Sequence, residues 1–218
     1  VGLRASNGLG LINYFYCIIN DVTGRGIAVD PAWDLSLVRE AFSSRGAALD
    51  AVLLTHAHWD HVDLARPLAE EFGCDVWISA VEQRTYGFAC PNLRLLEGDG
   101  VRCIGTVPVD VWSTPGHTAG SVCYRVGDVV LTGDTLFAEG CGVCCGEAAD
   151  PVAMYRSLQR LQDQLRPSDR VLPGHSYKLP PGQTFARVRE ENIYLQLRSL
   201  EDFVHFRMRP QASLGRQV

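Results

Sequence analysis

No run of 18 apolar residues occurs in this 218-residue chain, so no membrane-spanning helix is expected. A basic excess is missing too: 20 Lys and Arg stand against 25 Asp and Glu, a formal net charge of −5. Proteins that gather nucleic acid on a basic surface show the opposite balance, so no nucleic-acid partner is expected. There is no internal repeat and no low-complexity linker, which argues against a solenoid or tethered modules. The N-terminus has no basic segment leading into an apolar core with a small-residue cleavage site. The protein is therefore either not exported or begins after a trimmed presequence. Cysteine is present but unpatterned, at 17, 74, 90, 103, 123, 141, 144 and 145. Cys141-Gly142-Val143-Cys144 has Cys-x-x-Cys spacing, but it lacks a second such pair and a thioredoxin-like context. A chain this long folds without disulfide staples, so a reduced, cytoplasmic protein is expected. Cys17, Cys103 and Cys123 lie in apolar strand-like runs, where free cysteine serves as a small hydrophobe. Apolar content of 46% is ordinary for a globular protein and fits a single domain over 1–218 that includes the C-terminal helices.

What the chain does have is concentrated in residues 55–61, Thr-His-Ala-His-Trp-Asp-His. Three imidazoles and a carboxylate within six positions are costly to bury unless something binds them. The apolar run 51–54 precedes them and a helix-like stretch, 62–72, follows. This places the cluster at the carboxyl end of a buried strand, where α/β proteins collect ligands. Imidazole and carboxylate together suit zinc, with iron and manganese as the other ions such donors accept. Side-chain alternation puts His56, His58 and Asp60 on one face, with His61 aimed elsewhere. Four donors on one loop suggest two metals side by side.

Three more segments repeat the pattern of apolar run, glycine turn and metal-type residue. They are Pro115-Gly116-His117, Thr132-Gly133-Asp134 and Pro173-Gly174-His175. Glycine in such turns permits positive φ or a close backbone approach. Five of the six histidines fall in these motifs. His205, in a helix-like stretch, is read as a surface or packing residue, and Ser121 as structural.

The pattern further predicts strands near 11–20, 26–30, 49–54 and 75–79, and short strands at 93–96, 101–105, 107–112, 121–126 and 128–132. The strand-rich middle suits an antiparallel sheet portion. Helices are expected over 34–45, 62–73, 184–197 and 199–208. A further helix opens at Asp150-Pro151 with apolar positions 154, 158, 161 and 165, and ends at Pro167.

His56-x-His58-x-Asp60-His61, followed by His117, Asp134 and His175, resembles the signature of the metallo-β-lactamase superfamily. The resemblance runs from Asn13-Tyr14 and Val29-Asp30-Pro31 to the helical tail. It implies an α/β (α+β) four-layer αββα sandwich with a dinuclear zinc site. It also implies a ligand division: His56, His58 and His117 for one ion, Asp60, His61 and His175 for the other, with Asp134 bridging. Two ions and a bridging carboxylate lower the pKa of a shared water toward neutrality, giving hydroxide for attack on an acyl group. Asp60 and Asp134 are the residues assigned catalytic roles, Asp60 orienting the hydroxide and Asp134 fixing the separation of the ions.

Residues 137–142 and 154–158 resemble the glyoxalase II and persulfide dioxygenase branch, and Tyr177 matches a substrate-binding tyrosine there. Val143 stands where many of that branch carry a glutathione-binding basic residue. Residues 175–177, 181–185, 191–196 and 203–209 resemble hydrolases of trans-acyltransferase polyketide clusters. The expected activity is hydrolysis of an acyl thioester, on a carrier protein or a small molecule. The alternatives are a mononuclear iron persulfide dioxygenase acting on glutathione persulfide and a lactonase or glyoxalase II-type esterase. Val62-Asp63 replaces a Gly-Gly common in the superfamily; Asp63 is read as a helix-start carboxylate favoured by the helix dipole.

Overall fold

The computed structural model describes residues 1–8 and 11–209; the single-domain expectation over 1–218 extends past them. Strands β1 (Gly2–Ser6), β2 (Ile12–Asn20) and β3 (Arg25–Val29) lead to helix α1 (Leu35–Ser43) and strand β4 (Ala48–Leu53). Helices α2 (Trp59–Val62) and α3 (Ala65–Phe72), strand β5 (Asp75–Ser79), helix α4 (Ala80–Tyr86) and strand β6 (Leu93–Leu96) complete the first half. The second half begins with β7 (Gly100–Ile104), β8 (Val107–Ser113), β9 (Val122–Val126) and β10 (Val129–Gly133). Helix α5 (Pro151–Gln164), strands β11 (Arg170–Pro173) and β12 (Gln183–Thr184), and helices α6 (Phe185–Glu191), α7 (Ile193–Gln196) and α8 (Leu200–Met208) follow.

One sheet runs β1-β2-β3-β4-β5-β6 and the other β12-β11-β10-β9-β8-β7. Three apolar cores separate four layers. Phe15, Val38, Phe42, Val52, Leu68 and Ile78 seal α1 and α3 onto the first sheet. Ile27, Leu53, Val109, Tyr124 and Leu131 fill the space between the sheets. Met154, Leu158, Leu161, Phe185 and Phe203 hold the C-terminal helices against the second sheet. This is the αββα sandwich. Parallel β4 ends in the apolar run Ala51-Val52-Leu53, buried on both faces, which is why this end of the strand shows no polar alternation.

Asp150 caps α5 by accepting from Val152 N at 2.8 Å, with Pro151 in the first turn. Met154, Leu158, Leu161 and Leu165 are buried as the periodicity requires. The expected helix 62–73 is two pieces, since the chain turns helical at Trp59 and is redirected at Asp63 and Leu64 before α3. Asp63 closes α2 and accepts from Trp33 N at 3.0 Å, steadying a residue held at φ 64. The helix expected over 184–197 is likewise divided at Asn192, whose amide donates to the Phe137 and Gly140 carbonyls. β7 to β10 are antiparallel as expected, whereas β6 joins the other sheet in parallel with β5. β1, β12 and α4 are additional elements, too short to carry a clear period. Cys17 and Cys123 are buried, but Cys103 is exposed because β7 is an edge strand. All eight thiols are free. Among the described residues no helix is long and apolar enough to cross a membrane.

Asp99, in the turn linking the sheets, accepts from Ser113 N at 2.7 Å and pairs with Arg160 at 2.6 Å. Burial raises its carboxyl pKa, but the Arg160 and Ser113 hydrogen bonds outweigh that and leave it lowered. A depressed folded pKa contributes stability above the unfolded carboxyl pKa, lost as pH falls through the folded one. The pair is partly exposed, so Asp99→Asn is expected to lose about 0.5–1 kcal/mol at pH 7. Urea unfolding across pH 2 to 7 should show this difference vanish at the acid end; a constant difference would refute the assignment.

Candidate metal centre

Four loops leaving the ends of β4, β8, β10 and β11 carry the seven predicted donors, and the structure brings all seven together. Of the three motif glycines, Gly116 and Gly133 take positive φ (145 and 47), while Gly174 is needed for space. His56 Nε2 lies 3.1 Å from His58 Nδ1, and His117 Nε2 lies 2.9 Å from the same atom. These three form one potential ion-holding group, and Asp60, His61 and His175 form another. Asp134 stands between them: Oδ2 is 3.5 Å from both His117 Nε2 and His175 Nε2, and Oδ1 is 3.4 Å from His61 Nε2. His175 Nε2 is 3.4 Å from Asp60 Oδ2. Asp60 therefore does not share a face with His56 and His58, because the alternation of extended chain stops where α2 begins.

The donors fit metal ions on three grounds. His58 Nδ1 faces two other imidazole nitrogens and carries at most one proton, so lone pairs converge without enough hydrogens to link them. His61 Nε2 and Asp134 Oδ1 are buried without a hydrogen-bond partner, an arrangement that is costly unless a cation sits there. The titration behaviour points the same way. Burial works against charge on His61, yet Asp134 and Asp30 raise its pKa well above the usual imidazole value. His175 is pushed up to about 10, with burial outweighed by Asp134 and Asp60. Asp134 is held well below the carboxylate range, its burial outweighed chiefly by His61 and by a hydrogen bond from His175. Asp134, Asp60 and Asp30 thus favour positive charge at the positions of His61 and His175. His56, by contrast, is lowered by burial and by His61 beside it, as a neutral ligand must be.

A ring of partners sets ring orientations. Asp30 accepts from Thr55 N at 2.7 Å and Thr55 Oγ1 at 2.6 Å, and its Oδ2 is 3.0 Å from His61 Nδ1. Thr55 Oγ1 is 3.0 Å from His56 Nδ1. His117 Nδ1 lies 2.7 Å from the Val143 carbonyl, and His175 Nδ1 lies 3.0 Å from the Ile12 carbonyl. Asn13 Nδ2 donates to the Asp60 carbonyl and approaches Oδ2. With the outer nitrogens of His56, His61, His117 and His175 engaged, the inner ones are free to ligate. No local sequence pattern marks Asn13, Thr55 or the Val143 carbonyl for these contacts. A buried polar residue closing an apolar strand was the available signal for Asp30.

Tyr177 lies at the mouth, not among the donors. It is 76% exposed and its ring packs on Phe137, which in turn packs on His175. Trp59, exposed between His58 and Asp60, leans on Trp33 at 5.9 Å. Ser121 is buried against Thr118, and His205 is exposed on α8.

The sequence profile of the metallo-beta-lactamase superfamily matches residues 14–89 and 84–175, which takes in every donor. The chain belongs to the metallo-β-lactamase superfamily. Within it, the "probable polyketide biosynthesis zinc-dependent hydrolase PksB" of Bacillus subtilis (strain 168) is 41% identical, covering 92% of this chain and 89% of that protein. A hydroxyacylglutathione hydrolase of Jannaschia sp. (strain CCS1) is 35% identical over 76% of this chain, but only 62% of its own length is matched. The crystal structure of ETHE1 from Myxococcus xanthus superposes with a TM-score of 0.82 at 27% identity, covering 100% of this chain and 93% of that one. Superfamily membership and the two donor groups agree on where the chemistry lies.

Proposed function

We propose that this protein is a dinuclear zinc hydrolase that cleaves an acyl thioester carried on a carrier protein or a small thiol. The observation that carries the reading is the pair of three-residue donor groups with Asp134 reaching both. In the proposed assignment His56, His58 and His117 hold one ion, Asp60, His61 and His175 the other, and Asp134 is shared. Two such ions would lower the pKa of a shared water and polarise the acyl carbonyl. Asp60, steadied by Asn13, is placed to orient the attacking water. Asp30 and Thr55 keep His61 and His56 from rotating. Five of the six histidines are engaged in the centre, which leaves none of them to protonate a leaving group. A thiol has a pKa of about 8.5 and leaves without that help, unlike an alcohol or amine. This favours a thioester over an amide.

The polyketide assignment follows the name of the PksB relative, which is matched over nearly its whole length. Val143 supplies no cation for glutathione, and its carbonyl is spent on His117. The free thiols support a reduced, cytoplasmic setting. Metal analysis of the purified protein, with assays on an acyl-carrier thioester, S-lactoylglutathione and glutathione persulfide, tests the reading. Two zinc equivalents, acyl release from the carrier, and loss of turnover on chelation with recovery on zinc addition are expected. One iron with oxygen uptake on the persulfide would overturn it.

A further inference from the structure

Glu82, on α4, belongs to none of the metal motifs and yet is fully buried. Its Oε2 accepts from Ala57 N at 2.8 Å and its Oε1 from Gly120 N at 2.7 Å. Ala57 sits between His56 and His58, and Gly120 lies three residues after His117. One carboxylate therefore ties together the two loops that supply all three imidazoles of the first group. The approach is so close that a Cβ on Gly120 would fall 2.5 Å from Glu82 N and 2.8 Å from Val81 Cβ.

Helix capping does not explain the residue. Ser79-x-x-Glu82 has the spacing of a capping box, and Ser79 Oγ does accept from Val81 N. Both Glu82 oxygens, however, leave the helix for the two loops. Among the described residues no cationic side chain pairs with it, and a buried carboxylate without a countercharge is expensive. The two loops it binds carry three imidazoles whose inner nitrogens converge with too few protons.

We propose that Glu82 is a positioning residue for the three-imidazole site: it preassembles His56, His58 and His117 and supplies the buried negative charge that a cation there neutralises. The inference rests on the metal reading above. Glu82→Gln keeps the size but removes the charge, and turns an amide NH2 toward one of the two N–H donors. Titration of metal-free protein with Zn2+ alone, in competition with a chromophoric chelator, reads each equivalent separately. One equivalent is expected to weaken by about 10–100-fold, as for other groups that orient metal ligands. The other should hold its wild-type affinity. In a His117→Ala background the extra loss should disappear, since that site is already broken.

Equal affinities in wild type and variant, or equal weakening of both equivalents, would overturn the proposal and leave the dinuclear reading standing. A wild-type protein that binds no zinc would sink both. Should the amide variant fail to fold, Glu82→Asp gives a second measure. Charge is kept while one reach is lost, and the weakening is again expected in that equivalent alone.

Discussion

Asp134→Asn is expected to lower both zinc occupancy and thioester turnover by at least about 100-fold, while the metal-free protein still folds. Residues that merely orient metal ligands cost about 10–100-fold when removed, so the carboxylate that reaches both donor groups must exceed that. Its Oδ2 is equidistant, at 3.5 Å, from His117 and His175, and its Oδ1 is 3.4 Å from His61. Asparagine preserves the volume, so β10 and the turn after it have no reason to move. What disappears is the charge that draws a cation into a buried space. Elemental analysis beside steady-state kinetics reads the effect, and circular dichroism reads the fold. Retention of two zincs with wild-type turnover would remove Asp134 from the centre.

Gly174→Ala should produce a comparable loss by a purely steric route. A Cβ at this position would lie 2.5 Å from His61 Cε1 and 2.8 Å from Asp134 Oδ1. Neither side chain can retreat easily, because Asp30 grips the far side of buried His61 and the Oδ1 atom of Asp134 is itself buried. The backbone is pinned as well: Gly174 N donates to the Gly133 carbonyl at 2.9 Å, and Tyr14 N donates to the Gly174 carbonyl at 2.8 Å. One methyl group therefore has to displace two donors at once. Overpacking of this kind typically costs about 1–3 kcal/mol, and the second donor group should lose its metal first. Gly146→Ala, where a Cβ would meet nothing within 4 Å, is the matched control and should be silent. Normal zinc content and activity in Gly174→Ala would show that the close approach does not constrain the site.

The donors were legible in the sequence because each is announced locally, by an apolar strand running into a turn that ends on a metal-type side chain. The helix after Asp150 was legible for the same reason, since cap, proline and buried periodicity are neighbours in the chain. Partnership was legible only through the family resemblance, which pairs Asp60 with His61 and His175. Strand alternation alone puts Asp60 with His56 and His58, but the start of α2 at Trp59 turns it toward His61 and His175. Glu82 carries a capping spacing that hides its actual task. The Val143 side chain shows only a missing cation, whereas the site uses the carbonyl, which no sequence pattern reveals.

By itself the sequence determined the chemical class of the site and the strands that deliver it, because ligand type and strand-turn grammar reside in adjacent residues. Only the tertiary structure decided which donors meet and what aims them. Those contacts join Asn13 to Asp60, Asp30 to His61, Glu82 to Gly120 and Ile12 to His175. They lie 31 to 163 residues apart in the chain. No local pattern encodes such pairs: Asn13–Asp60 and Asp30–His61 meet because β2, β3 and β4 are neighbours in one sheet, and Glu82–Gly120 and Ile12–His175 meet because the two sheets pack face to face.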